Sequence, residues 1–185
     1  MASYAELEWH SGEKYMQKQL RVPYMDNPTS SFLHPFAISV LRSSPLLALG
    51  TLDNVGRPWT SLWFGERGFA AAAGEYSLRA KGIVDRSHDP VTELLVQKME
   101  GSKELKKEDR DLYMISGLAI DLENRRRVKL AGNIAQFLLS RPTKNGFGEA
   151  SLEINIEQTL GRHFLTNTHH FHVQSHKSRI NKSLS

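Results

Sequence analysis

The sequence predicts a mainly β protein with peripheral helices, built as a small antiparallel barrel. Segments of strand length with alternating or continuous apolar residues follow one another from residue 46 onward. Turn-forming residues separate several of these segments at hairpin spacing. Helical periodicity is confined to the amino-terminal 45 residues and to a stretch after residue 89. A chain of 185 residues is long enough for one domain with a real core.

The first 45 residues are predicted to contain two helices. The first runs over residues 11–21, with Ser11 as a plausible N-cap and with Tyr15 and Leu20 on an inward stripe. The second runs over residues 32–42 and is started or bent by a proline.

A hairpin follows the helices. Residues 46–52 form a short apolar run, residues 53–56 supply the turn, and residues 57–65 return as a strand. Residues 65–74 are expected to form a loop or wide turn, and residues 76–80 a short strand.

A third helix is predicted to begin at Pro90, with Asp89 as its cap. Its apolar face would hold Val91, Leu94, Leu95 and Met99. Residues 100–111 carry many charges of both signs and are expected to form a solvated segment.

Three more strands are predicted in the second half of the chain. Residues 112–122 alternate, residues 125–139 return after a turn, and residues 151–157 form the last strand. One side of the first of these strands carries Leu112, Met114, Leu118, Ile120 and Leu122.

The strand after the first turn has no plainly solvated face. Trp59, Ser61 and Trp63 share one face, and Thr60, Leu62 and Phe64 share the other. Such a strand is either central in a barrel or lies against a large flat partner.

The segment NRRRVKLAG, residues 124–132, is chemically suggestive. On a strand, Arg125, Arg127 and Lys129 would project from one face. A phosphate group would suit such a row, because guanidinium groups bind it in a bidentate fork. The alternative is that these are edge-strand charges that deter aggregation.

The formal net charge of +4 comes from the end of the chain. Residues 162–185 hold four Lys or Arg and no acids, and the remainder holds 20 basic and 20 acidic residues. A general nucleic-acid surface is therefore not supported.

Several classes of protein lose support. The chain has no cysteine, which excludes disulfides, thiolate metal sites and cysteine nucleophiles. Motifs of the P-loop, dinucleotide-binding, nucleophile-elbow and zincin types are missing. The histidines near the end of the chain are interpreted as part of a mobile tail and not as a metal site. Without a signal-like amino terminus or a span of about 20 apolar residues, the chain is expected to be cytoplasmic, with no membrane partner.

Three separated motifs resemble one known family. They are WHSGEKYMQ near the amino terminus, GTLDNVGRPWTSLWFGERGF after residue 49 and DLENRRRVKLAGNI after residue 120. Together they resemble a branch of the pyridoxamine 5'-phosphate oxidase-like, FMN-binding split-barrel superfamily. The resemblance covers residues 9–161 and implies one split-barrel domain over residues 1–161, with a helical segment at 1–45. Residues 162–185 would be a disordered or atypical tail, since nothing after Gly161 matches.

The resemblance implies an FMN-binding split β-barrel of six strands, usually a homodimer with FMN at the subunit interface. It implies a flavin-linked oxidoreductase acting on an unknown small molecule. The cofactor-binding residues would come from the strand at residues 57–65 and from the basic segment at residues 124–132. Arg57 and Arg79 would be further phosphate ligands from neighbouring strands. This set is Arg57, Trp59, Thr60, Ser61, Leu62, Arg79, Arg125, Arg127 and Lys129.

The chain also departs from the pattern of that family. The family's RxNG is replaced by Lys129 to Gly132, KLAG, and the final segment is unlike the usual carboxy terminus. A non-catalytic flavin- or haem-binding protein of the same fold, or a dimer without flavin, is therefore the alternative.

Overall fold

The structure is a computed structural model that describes residues 7–23, 27–100, 113–141, 143 and 145–161. Within these ranges the chain forms three helices and eight strands. In chain order they are α1 (Ser11–Gln19), β1 (Thr29–Ser30), α2 (Pro35–Ser43), β2 (Leu46–Leu52), β3 (Pro58–Phe64), β4 (Ala70–Gly74), β5 (Ser77–Asp85), α3 (Pro90–Glu100), β6 (Met114–Asp121), β7 (Arg126–Leu139) and β8 (Phe147–Leu160). The predicted mainly β fold with peripheral helices is confirmed.

All of the described strands belong to one antiparallel sheet in the order β3-β2-β6-β7-β8-β5-β4, and β1 pairs with the end of β8. The sheet curls until β3 approaches β5. A Cβ atom placed on Gly82 of β5 would lie 3.6 Å from the carbonyl oxygen of Phe64 and 3.9 Å from the ring of Trp63. The sheet therefore closes into a barrel-like body whose wall consists of β3, β2, β6, β7, β8 and β5. This is the number of strands that the resemblance implies, and β4 and β1 pair beside the wall with β5 and β8.

The core fills the inside of this curled sheet. Leu47 and Leu49 of β2, Trp63 of β3 and Ile154 of β8 are fully or almost fully buried. Helix α3 adds Val91 and Leu95, both without solvent exposure, to the same cluster. The predicted apolar face of α3 is confirmed, with Leu94 and Met99 half-buried at its margin.

Helix α1 differs from the prediction in its cap and its packing. His10, not Ser11, is the N-cap, and it forms a capping box with Glu13. The predicted inward stripe is wrong, because Tyr15 is 61% exposed and Leu20 is 68% exposed. No residue of α1 is buried. The helix is thus held by its cap and lies outside the core.

The strands also correct the sequence prediction. Residues 70–74, expected within a loop, form β4 because their small side chains pair with the start of β5. The short strand predicted at 76–80 continues to Asp85, because β8 pairs with its whole length.

The side of β6 that carries the predicted run of large apolar residues faces away from the core. Ile115 and Ala119 are buried, whereas Met114 is 44% exposed and Leu118 and Ile120 are only half-buried. The inward positions of this strand are thus taken by Ile115, Gly117 and Ala119, two of which are small, and three large apolar side chains face outward.

Some predictions fall on residues that the structure does not describe. These are the charged segment after Glu100, Leu112 at the start of the predicted strand, and the tail at 162–185 with its histidines. In the described part of the chain, no helix has the length and apolar character needed to cross a membrane.

Candidate functional site

Basic residues of β7 and of the turn before it border a groove on the surface of the barrel, which we call the basic groove. Arg127 and Lys129 are exposed on the outward side of the strand, whereas Val128 and Leu130 are buried. The groove has a volume of about 940 Å³, and its polar lining comes from Ser39, Asn124, Arg125, Arg126, Arg127 and Lys129. The alternation predicted for residues 127–130 is therefore confirmed.

Arg125 reaches the groove in a different way from the prediction. It lies in the turn before β7 and not on the strand, with a φ of 53°. The hairpin pairs Asp121 with Arg126, which leaves four residues for the turn. A left-handed backbone at a residue with a side chain is uncommon and costs about 1 to 2 kcal/mol. The turn nevertheless brings Arg125 beside Arg127 at the groove.

A hydrogen-bond network fixes the base of this turn. Arg126 donates from Nη2 to Oδ2 of Asp121 at 2.8 Å, and Ser43 of α2 donates to the same oxygen at 2.8 Å. Asn124 donates to it from Nδ2 at 2.9 Å. Burial alone would raise the pKa of Asp121, but these donors outweigh it and hold the pKa well below its usual range. The positive charge of Arg126 is thus neutralised by the carboxylate of Asp121.

Three cations at the groove have no such acid. Among the described residues, Arg125, Arg127 and Lys129 form no ion pair. The groove lining includes no acidic side chain in this part of the chain. A cluster of like charges without an internal counter-ion is the donor set that a phosphate group needs.

The other two arginines predicted for the phosphate lie elsewhere. Arg79 on β5 pairs with Glu153 of β8 at 2.9 Å, and Arg57 pairs with Asp53 at 2.7 Å. The strands next to β7 are β6 and β8. The expectation that Arg57 and Arg79 come from neighbouring strands is therefore wrong, because the order of the strands separates β3 and β5 from β7.

The strand register connects β3 to the basic row. Where β3, β2, β6 and β7 pair, the residues that point away from the core form what we call the outer face. They are Leu46, Ala48, Gly50, Leu52, Pro58, Thr60, Leu62, Phe64, Met114, Ser116, Leu118, Ile120, Arg127, Lys129, Ala131 and Asn133. One row across it runs from Leu62 through Ala48 and Leu118 to Lys129. Three strand spacings make this row about 14 Å long. Thr60 and Leu62 thus share a surface with Arg127 and Lys129.

Trp59 lies on the opposite side of β3. Its Nε1 donates to Oδ2 of Asp53 at 3.2 Å, and the ring is 42% exposed. It lines a smaller groove of about 320 Å³, with Arg57 and with Glu93 of α3. Burial alone would raise the pKa of Asp53, but the hydrogen bonds from Arg57 and Trp59 outweigh it and hold the pKa well below its usual range. Asp53 therefore fixes both side chains away from the outer face.

Ser61 also points away from the outer face. Its hydroxyl donates to Oδ1 of Asp89 at 2.7 Å and accepts from the backbone N–H of Val91 at 3.3 Å. Ser61 is only 8% exposed. Of the two hydroxyl groups predicted beside a cofactor, that of Thr60 is the exposed one.

Sequence reasoning missed Asp121, Ser43 and Ser39. The hairpin register could have indicated Asp121, since a four-residue turn places it opposite Arg126. The two serines come from α2, and no local pattern links that helix to the hairpin.

The fold and the groove define a small antiparallel barrel protein with a groove lined by basic residues. Comparison with family models gave no match, and comparison with curated proteins gave none.

Solved structures of similar shape were found. One is described as a candidate pyridoxamine 5'-phosphate oxidase from Lactobacillus delbrueckii, with 14% identity, a TM-score of 0.44, and coverage of 71% of this chain and 95% of that one. An FMN-binding protein from Syntrophomonas wolfei has 8% identity, a TM-score of 0.41, and coverage of 84% and 99%. A haem storage protein from Vibrio cholerae has 12% identity, a TM-score of 0.41, and coverage of 70% and 94%.

Because all three TM-scores are below 0.5, the roles of individual residues rest on the geometry of this chain alone.

Proposed function

We propose that this protein binds FMN, with the phosphate of the cofactor in the basic groove. The observation that carries the proposal is the group of three cations, Arg125, Arg127 and Lys129, which form no ion pair with any described residue. A flavin phosphate carries close to two negative charges and would neutralise most of this cluster. The site fits the group because its donors are cationic, exposed and on one surface.

The outer face supplies a surface for the rest of the cofactor. Gly50, Ser116 and Ala131 form a row of small side chains across the sheet, and the row ends at Thr60 on β3. Thr60 would donate or accept a hydrogen bond, and Leu62 would give apolar contact to a ring system. FMN supplies redox chemistry when bound, and this chain would hold and orient it.

The same face supports a homodimer. Leu62 is 54% exposed and Phe64 is 64% exposed, and half-buried Leu46, Leu118 and Ile120 lie between them and β7. A continuous apolar surface of this kind marks an interaction site in soluble proteins. A second copy packed on the outer face would cover these side chains and close the cofactor site between the subunits.

The reaction class proposed is flavin-linked oxidoreduction of a small molecule. One observation favours a non-catalytic flavin carrier as a second candidate. Among the described residues, the outer face, on which the flavin ring would lie, carries no carboxylate or imidazole that could accept a proton from a substrate. Anaerobic reduction of bound FMN by reduced nicotinamide nucleotides, compared with free FMN, separates the two functions: faster reduction indicates an enzyme.

The proposal is tested by titrating the purified full chain with FMN and riboflavin in parallel and following flavin fluorescence. Contacts of a phosphate with charged groups contribute about 1.5 to 3 kcal/mol, so FMN should bind roughly ten- to a hundredfold more tightly. Equal affinities would contradict the phosphate position. If neither ligand binds and the protein instead shows the Soret band of haem, the proposal that the cofactor is FMN is wrong.

A further inference from the structure

A second surface of the barrel is apolar and lies beside the outer face. Its floor and walls include Phe64, Ile83 and Phe147, which are 64%, 66% and 45% exposed. The volume is about 1090 Å³, and its charged lining consists of the exposed side chains of Glu66, Glu149 and Lys81, two acids and one base. We call this the apolar groove.

The amino-terminal arm, residues 7–23, also exposes apolar side chains, and a positive charge lies beside them. Tyr15, Met16 and Leu20 are 61%, 52% and 68% exposed and cover less than half of the circumference of α1 at 100° per residue. Lys18 lies at the flank next to Tyr15 and forms no ion pair with a described residue. An apolar helix side with a cationic flank complements an apolar groove whose charged lining is net negative.

The arm is attached far from the apolar groove of its own chain. It enters the barrel through β1, where Thr29 pairs with Leu160 at the end of β8. The groove is lined by Phe147 and Glu149 at the start of the same strand. Eleven to thirteen strand residues separate the two places, or about 40 Å. The arm is also fixed near its attachment, since Asn27 donates from Nδ2 to the carbonyl oxygen of Glu8 at 3.3 Å.

We infer that α1 of one chain docks in the apolar groove of a second copy. The inference rests on the homodimer of the proposed function, and it names the segment that each subunit contributes. Leu46 and Phe64 belong both to the outer face and to the groove, so a copy that covers the former also borders the latter. Two-fold symmetry makes the exchange reciprocal, with Tyr15, Met16 and Leu20 buried twice per dimer.

The test uses the absence of cysteine from the full sequence. One preparation carries Met16→Cys, a second carries Ile83→Cys, and the two are mixed, equilibrated and oxidised. A disulfide between the two chains should form about a hundredfold faster than with a control partner that carries Val55→Cys, because docking raises the local concentration from about 10 micromolar to about 1 millimolar. Val55 is 74% exposed and lies in the turn before β3, away from the groove.

The outcomes distinguish a failure of arm exchange from a failure of the homodimer on which it rests. A cross-linked dimer from the mixed chains, at the faster rate, supports arm exchange. Sedimentation of the unmodified chain as a dimer, with cross-linking no faster than in the control, overturns arm exchange alone. Sedimentation as a monomer at micromolar concentration overturns the homodimer as well. A chain that carries both substitutions and forms its disulfide internally would place the arm in its own groove and also overturn the exchange.

Discussion

The hydroxyl of Ser61 lies 2.7 Å from Oδ1 of Asp89 and joins the edge strand β3 to the first turn of α3. The same carboxylate oxygen accepts the backbone N–H of Thr92 at 2.8 Å, so one acid caps the helix and holds the strand. With Ser61 fixed inward, strand alternation turns Thr60 and Leu62 to the outer face. The start of a helix therefore determines which side of β3 is available to a ligand.

Removal of this link should destabilise the protein. Ser61→Ala removes one of the two hydrogen bonds to Oδ1 of Asp89 and takes the hydroxyl acceptor away from the N–H of Val91, and we expect a loss of about 1 to 2 kcal/mol. For a domain of this size the melting temperature should fall by about 2 to 8 °C. Thr60→Ala, on the exposed side of the same strand, is the control and should change it little. Equal shifts for the two variants would show that the hydrogen bond is not the cause.

Loss of a groove cation should weaken FMN binding selectively. Arg127→Ala should lower the affinity for FMN roughly ten- to a hundredfold and leave that for riboflavin nearly unchanged, because riboflavin has no phosphate. Arg79→Ala is the matched control, since Arg79 is paired with Glu153 away from the groove. Titration of both ligands measures the difference. Equal losses for FMN and riboflavin would assign Arg127 a role in the fold.

Arg125 should show a trade between stability and binding. Glycine adopts a φ of 53° without steric cost, so Arg125→Gly should leave stability unchanged or raise it by up to about 1 kcal/mol. The same change removes one cation from the groove and should weaken FMN binding several-fold. Urea unfolding and FMN titration on the same preparation test this. A clear loss of stability would show that the side chain is needed to hold the turn.

Gly132 of β7 should not tolerate a side chain. A Cβ atom at this position would lie 2.0 Å from the carbonyl oxygen of Asn155 on β8, where the pairing of the two strands shifts at a bulge. Gly132→Ala should cost about 3 kcal/mol or more. Gly74→Ala is the control, because nothing lies within 4 Å of its Cβ position. Normal melting of the Gly132 variant would show that the two strands can move apart.

The Asp121 network should make stability depend on acidity. The pKa of Asp121 is lowered in the folded state, so its contribution is present above the ordinary carboxyl pKa of about 3.9 and is lost as the pH falls below it toward the folded value. The wild-type urea midpoint should therefore fall more between neutral pH and about pH 3 than that of Asp121→Asn. An identical pH dependence in the two proteins would remove Asp121 as a cause.

Local patterns predicted the hairpin and part of the groove. The turn at residues 53–56 was found because Gly56 suits a positive φ, and it has a φ of 81°. Alternation correctly placed Arg127 and Lys129 on one exposed side. It failed for Arg125, because alternation ends where the four-residue turn begins.

Long-range pairing was not predictable in the same way. Nothing in the residues around Arg57 or Arg79 shows that β3 pairs only with β2 or that β5 pairs with β8 and β4. The outward position of Met114, Leu118 and Ile120 on β6 likewise depends on which side of the sheet encloses the core when the sheet closes. These features follow from contacts between distant segments, which a strand-by-strand reading does not contain.

Strand β2 pairs along nearly its whole length with β3 on one side and β6 on the other, and its residues alternate between half-buried and buried. An inserted or deleted residue inside it would turn Leu47 and Leu49 outward and bring their neighbours into the core. It would also break the row of paired residues that runs from Leu62 to Lys129. Natural variants of this chain should therefore change length at the turns around residues 54 and 123 and keep β2 at a constant number of residues.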